Sequence, residues 1–577
     1  MPLCSQCARV SLRNVTQELP VLIPGRFNGL KKGMVLTENG STLSISALNC
    51  SFCTSLIKQH DIIGRPRLLK PDCDDAFSLL KRWINACQEW HVDCKRTVSG
   101  NIMDDSDAPE LPSRILHIKG ERVKLVESKG QRGRYATLSH CWGPSDKQPL
   151  KTTRANLPAH IEGIPWSNIP KTFQDAITVA DRVGFQYIWI DSLCIVQDDR
   201  EEWLKESKKM GLTYERAELT IAASHTADSW EGFLFPRDPS PTSVELPRFF
   251  SESKNTRYPR VFAALRRDTV SDTLPEFGAL GRRAWATQEW LLSRRMVFFA
   301  KSTIIWSCKT ITQRETGEKC FSIARNSRWK PIVECYSDRQ LTFATDKLIA
   351  LEGLRTESGR NSGYEYLFGV WRESLPDQLL WQVTRPVDGD SDEINDPLKL
   401  PTWTWAHVPC GVRFLHLAGA KNLCESVGRS DGLEKLVLRM RVRRITATTT
   451  ALHTEGDGAT VQAIRVDISA SHAKRTSSMA QFILNERNSV VGWAVFDQRA
   501  CDVGLGKVCC LALMGGVGRR DEDTERRLGT VVSSKLRHYW VLIVRKREDG
   551  SYIRIGVGKT YGREWWVDAP VKTLTLS

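Results

Sequence analysis

Pro170-Lys-Thr-Phe-Gln-Asp-Ala-Ile-Thr-Val-Ala-Asp-Arg-Val-Gly-Phe-Gln-Tyr-Ile-Trp-Ile-Asp191 is the stretch that decides the fold class. Proline can open a helix because the N–H it lacks would have no partner in the first turn, and Phe173, Ala176, Ile177 and Ala180 then line one apolar face. Gly184 supplies a stop signal. The run from Phe185 to Ile190 is almost continuously apolar, as expected of a strand covered on both faces in a parallel sheet, and Asp191 marks its end.

The neighbouring segments extend this pattern. Upstream, Arg134-Tyr-Ala-Thr-Leu-Ser-His-Cys-Trp-Gly143 predicts a short strand ending at a glycine turn. Downstream, Glu201 to Tyr214 sets Trp203, Met210 and Tyr214 near one helical face, and Leu219 to Ala223 is a further buried strand. Strand, helix, strand, helix, strand predicts a doubly wound α/β layer.

Nearer the N-terminus, Asp74 to Cys94 predicts a helix, with Phe77, Leu80, Trp83, Ile84 and Cys87 spaced at threes and fours. An acidic, proline-bearing linker from Asn101 to Pro112 follows. After about residue 400 the period changes to two: Leu436, Leu438, Met440 and Val442 alternate with Val437, Arg439, Arg441 and Arg443, and Ile464, Val466 and Ile468 repeat the pattern. Tyr539 to Arg545 and Tyr552 to Val557 flank Glu548-Asp-Gly550, a hairpin signal because Asp-Gly tolerates positive φ. The chain thus divides into a Cys-containing, partly helical N-terminal extension (1–112), a central α/β domain (113–310) and a mixed, then β-rich C-terminal region (311–577).

Composition narrows the functional classes. With 577 residues, 41% hydrophobic and 26% charged, the chain has the balance of a soluble globular protein of several units. No basic stretch followed by an apolar core opens the sequence, and the apolar run near Val508 to Val517 falls short of the ~20 residues that cross a bilayer, so a cytoplasmic protein without a transmembrane helix is expected. Seventeen cysteines at low density fit free thiols in a reducing compartment. The net charge of +15 is scattered among acidic residues, and there is neither a zinc-finger pattern nor a basic region leading into heptads. Nucleic-acid binding is therefore not expected.

Three ordered stretches resemble the heterokaryon incompatibility (HET) domain of filamentous fungi: Leu138-Ser-His-Cys-Trp-Gly143, Trp189-Ile-Asp-Ser-Leu-Cys-Ile-Val-Gln-Asp198 and Arg283-Ala-Trp-Ala-Thr-Gln-Glu289. Pro170 to Ala176 precedes the second stretch, and Met210, Tyr214, Ala217 and Leu219 to Ala223 follow it, as in that family. Leu79-Lys-Arg-Trp83 with Cys87, His91 and Cys94 is similar to the family's N-terminal extension, and Pro401-Thr-Trp-Thr-Trp-Ala406 to its Trp-rich downstream block. Ala286 stands where Thr is common and Ala284 where Gly is common. The resemblance implies a role in self/non-self recognition and programmed cell death, with protein partners or self-assembly. It also implies a distant likeness to Toll/interleukin-receptor (TIR) domains, and so a TIR/flavodoxin-like doubly wound centre.

Some TIR domains cleave NAD between nicotinamide and ribose, and their motif sets a glutamate four residues after a tryptophan. Trp285 and Glu289 keep that spacing, which places both on one helical face. The resemblance thus makes Glu289 the candidate catalytic acid and NAD the possible substrate. In an open α/β sheet, ligands lie beyond the carboxyl ends of the strands, where Ser139, Cys141, Trp142, Asp191 and Ser192 fall, and Arg283, Trp285 and Gln288 are candidates to contact a nucleotide. The same tryptophans also suit a core, Asp191 also suits a turn cap, and Glu289 also suits a surface position on its helix or a pair with Arg283. A Cys141/His140 hydrolase requires the strand to end by residue 140, since adjacent strand residues point to opposite faces. Cys87, His91 and Cys94 at i, i+4 and i+7 align along a helix and can hold zinc, with Cys4-x-x-Cys7 or Cys50-x-x-Cys53 completing the site; buried cysteines also pack as small hydrophobes.

Overall fold

The computed structural model describes residues 68–97, 108–237, 278–316, 328–360, 362–385, 398–417, 419–429, 435–448, 480–484, 490–497, 508–517, 537–561 and 564–577, with Ile102, Val387 and short strands at 62–64, 243–245 and 262–264. Cys4, Cys7, Cys50, Cys53 and the segment Ile464 to Ile468 lie outside these residues. The chain forms two compact units, Met1–Arg325 and Asn326–Ser577.

In the first unit, helix α1 (Asp74–Trp90) precedes the hairpin β1 (Arg114–Lys119) and β2 (Arg122–Glu127). Then come β3 (Ala136–Ser139), α2 (Lys171–Val183), β4 (Tyr187–Trp189), the short α3 (Asp191–Cys194), α4 (Arg200–Arg216) and β5 (Leu219–Ala223). The unit continues with α5 (Ala286–Leu292), β6 (Arg295–Phe299), β7 (Ile304–Cys308) and β8 (Thr312–Arg314).

One eight-stranded sheet runs β8-β7-β6-β5-β3-β4-β1-β2. β4, β3, β5 and β6 are mutually parallel, with Ala136 opposite Ile188 and Leu219, and Ile221 opposite Val297. The flanking strands pair antiparallel. The strands in the middle of this sheet are apolar throughout because both faces are covered; every residue of β3, β5 and β6 is buried. Chain order reverses between β3 and β5, where strand β3 is followed by β4 on one side and β5 on the other. Loops leaving strands at such a reversal diverge and leave a crevice at the carboxyl ends.

Helix α2 follows its sequence signals closely. Pro170 is its N-cap, and Gly184 closes it at φ +105° with its N–H on Ala180 O. Phe173, Ala176, Ile177 and Ala180 are all buried, each large apolar side chain contributing about 1.5–3 kcal/mol relative to exposure. Asp175 on the same helix is also buried and accepts the N–H groups of Phe233 (2.7 Å) and Leu234 (3.0 Å), fastening the segment after β5 to α2.

Two boundaries differ from the sequence reading. The strand before Asp191 is confined to Tyr187–Trp189, with Asp191 opening a helical turn. Helix α1 stops at Trp90, because His91 adopts an extended conformation (φ −99°, ψ 94°), and a 3₁₀ turn covers Val92–Lys95. Cys94 therefore does not lie on the helix that carries Cys87.

The second unit holds helices α6 (Trp329–Ser337) and α7 (Glu352–Gly359) and a ten-stranded sheet. The Trp-rich block contributes Trp403 and Trp405, both fully buried, the latter donating to Gly369 O at 2.7 Å. Strand β9 (Leu436–Arg444) alternates buried Leu436, Leu438, Met440 and Val442 with more exposed neighbours. Strands β10 (Arg537–Lys546) and β11 (Tyr552–Tyr561) pair antiparallel around Gly550 at φ +83°. Among the described residues, no helix is long and apolar enough to cross a membrane.

Candidate functional site

The three ordered motifs meet at the carboxyl end of β3. Ser139 closes that strand, and its hydroxyl donates to Glu289 Oε2 from α5. Asp191, which opens α3 just after β4, accepts Trp142 Nε1–H at 2.8 Å on one oxygen and the Ser192 N–H at 2.7 Å on the other. Arg283, just before α5, donates to His140 O. Strand ends and the following loops thus bring Ser139, Trp142, Asp191, Arg283 and Glu289 into one connected polar cluster.

A carboxylate in such a setting is governed by competing effects. Burial pushes Glu289 up to about 7, opposed by the Arg283 charge, the Ser139 hydrogen bond and the neighbouring Tyr214, and reinforced by Asp191. Tyr214, on α4, donates to Leu138 O at 3.0 Å and stands beside the same carboxyl. Burial works against the charge of Arg283, yet Glu289 and the surrounding acidic groups outweigh it and raise its pKa. A cation and a carboxyl tuned to neutrality, held beside a hydroxyl, can bind a polar ligand and stabilise positive charge.

The remaining predicted residues are placed less centrally. Trp285 lies one turn before Glu289 and turns its ring edge-on to Trp203, at 6.2 Å between centroids. Gln288 and Ser192 are buried, the Ser192 hydroxyl having no hydrogen-bond partner among the described residues. Glu289 is 1% exposed and Ser139 0%, so the half-buried Trp142 and Arg283 are the members that reach the surface.

Cys141 and His140 do not make a thiol–imidazole pair. The strand does end at Ser139, which is the condition such a pair requires. Burial nevertheless pushes the Cys141 thiol up to about 11, away from thiolate. Burial likewise pushes His140 down to about 4, although Asp191 lies 3.9 Å from Nδ1, and the ring packs edge-on against Phe173. Among the described residues, neither ring nitrogen has a hydrogen-bond partner.

Sequence reasoning missed Tyr214 as a partner of Glu289, because a tyrosine on an apolar helix face reads as core. It also missed Cys308. The ligand atoms of Cys87, His91, Cys94 and Cys308 all lie within 4.8 Å of one another, a grouping able to hold a metal ion. A cleft lined by Glu110, Arg114, Tyr135, Lys209 and Arg216 opens at the opposite end of β3 and includes none of the predicted site residues.

These features define an α/β domain with a polar cluster at the carboxyl ends of parallel strands. Residues 135–290 match the family model described as Heterokaryon incompatibility protein (HET), so the chain carries a heterokaryon incompatibility domain. The match runs from Tyr135, just before β3, to Trp290 within α5, and so spans all three motifs. No curated protein and no solved structure matches the chain.

Proposed function

We propose that this chain acts in fungal self/non-self recognition and programmed cell death signalling, in the cytoplasm and through protein partners or self-assembly. Its HET domain carries the effector chemistry, cleavage of NAD at the nicotinamide–ribose bond. The observation that carries the reading is the Glu289 carboxyl, pushed up to about 7 and clustered with Ser139, Asp191 and Arg283. Breaking the C–N bond releases neutral nicotinamide and builds oxocarbenium-like charge on the ribose, which an ionised Glu289 stabilises. Water then adds to that carbon and loses a proton, giving ADP-ribose. The order of the parallel strands, β4-β3-β5-β6, supports a TIR/flavodoxin-like winding, in which the second strand lies outside the first.

A second reading has its own support. Glu289 and Ser139 are closed off from solvent, as expected of a polar network that fixes a domain for partner binding without catalysis. Overexpression in a fungal host separates the two. Growth arrest is expected from the native chain, and relief of arrest from Glu289→Gln at equal protein level. An equally abundant variant that still arrests growth excludes the catalytic reading and favours assembly.

A further inference from the structure

We propose that Cys87, His91, Cys94 and Cys308 form a structural zinc centre that ties the N-terminal helix α1 to strand β7 of the central sheet. The four residues come from two places far apart in sequence. Cys87 lies in the last turns of α1, His91 at the break that ends it and Cys94 in the following 3₁₀ turn, whereas Cys308 terminates β7. The break at His91 folds the chain back so that three ligands from one short segment converge on a fourth from the strand.

The geometry suits tetrahedral zinc. With Zn–S bonds of about 2.3 Å, sulfurs at the corners of a tetrahedron stand roughly 3.8 Å apart, and a sulfur and an imidazole nitrogen slightly closer. The ligand atoms here fall within 4.8 Å of one another, and His91 Nδ1 is 3.3 Å from Cys308 Sγ. Cys87, Cys94 and Cys308 are free, buried thiols, and no disulfide among the described residues competes for the sulfurs.

Donors surround the sulfurs as they would surround thiolates. Arg295 Nε–H points at Cys87 Sγ (3.3 Å), Ile311 N–H at Cys308 Sγ (3.4 Å), and Thr310 Oγ1 lies 3.6 Å from Cys94 Sγ. Such outer contacts orient metal-bound ligands and temper their charge. Three thiolates, a neutral imidazole and Zn²⁺ sum to one negative charge, and the fully buried Arg295, paired with Cys308 across β6 and β7, supplies one positive charge beside it. Cysteines that served only as small hydrophobes would not call for a guanidinium and a backbone N–H aimed at their sulfurs. Two cysteines and a histidine from the extension thus become covalently cross-linked, through metal, to a strand outside the HET match.

The test uses the purified full chain and is blind to what Glu289 does. Elemental analysis should find about one zinc per chain, and metal-free protein given Co²⁺ should develop the intense visible bands of a tetrahedral, thiolate-rich site. Cys308→Ser should retain at least about tenfold less zinc after dialysis against a chelator. Cys308→His, which offers a substitute ligand, should keep the metal and shift the cobalt bands, guarding against loss through misfolding. Native protein free of zinc that also gives no tetrahedral cobalt spectrum would overturn the proposal. Full zinc retention in Cys308→Ser would overturn the assignment of the fourth ligand.

Discussion

Glu289 and His140 titrate in opposite senses within the same site, and the pH dependence of stability follows from that. Burial raises Glu289 from its ordinary value of 4.5 to about 7, so between these values the folded chain keeps a proton that the unfolded chain has released. Stability then falls as pH rises across that window, by on the order of 3 kcal/mol at ~1.4 kcal/mol per unit. Burial lowers His140 from 6.5 to about 4, so there the unfolded chain holds the extra proton and stability rises with pH. The two slopes largely cancel in the native chain. Glu289→Gln removes one of them while keeping an acceptor for Ser139. Its melting temperature should match the native value near pH 5 and exceed it increasingly toward pH 8; a constant difference across that range would show that Glu289 titrates as an ordinary carboxylate. At this scale the sequence was only partly readable. The Trp285-to-Glu289 spacing pointed to the acid through resemblance. The donation from Ser139 and the approach of Tyr214 depend on tertiary placement, which no local pattern encodes.

Helices and strands of the central domain were more legible than single residues, since burial on one or both faces writes a period into the sequence. Helix α2 lies between its proline and its glycine as those residues require, and the apolar runs became β3, β4 and β5. The parallel strand β6 and its antiparallel neighbour β7 went unread, because their residues are as uniformly buried as a core helix and carry no alternation. The break in α1 at His91 was also unread, having neither glycine nor proline to announce it. Glycine does explain the turn after β3. Gly143 has φ +97°, and an added Cβ would meet Asp228 Cβ at 2.7 Å and Lys147 O at 2.9 Å. Gly143→Ala should cost roughly 2–4 kcal/mol, combining left-handed strain with a clash against backbone. Gly184→Ala, at φ +105° with open space around it, should cost only the strain, about 1–2 kcal/mol. Urea unfolding midpoints should rank native above Gly184→Ala above Gly143→Ala; equal midpoints for the two variants would mean that the contact with Asp228 is absent.

Across the whole molecule, the HET match covers 135–290, but the sheet that positions its motifs needs strands on both sides of it, from β1 and β2 to β6 through β8. A fragment cut at the limits of the match would lose the partners of β4 and β5, exposing two strand edges. The alternating pattern of β9 and the turn at Gly550 made the C-terminal β-rich unit legible, whereas its strand order depends on long-range pairing that periodicity does not contain. The scattered net charge of +15 likewise says nothing of where ligands bind. Nicotinamide release from NAD reports whether the cluster around Glu289 performs the proposed cleavage in the full chain. The native protein should release nicotinamide, with a rate that rises as pH passes through about 7 and Glu289 ionises. Loss of a charge-stabilising carboxylate costs on the order of 10²-fold or more in rate, so folded Glu289→Gln should fall by at least that factor. No release by folded native protein, or equal release by Glu289→Gln, would rule out NAD cleavage at Glu289.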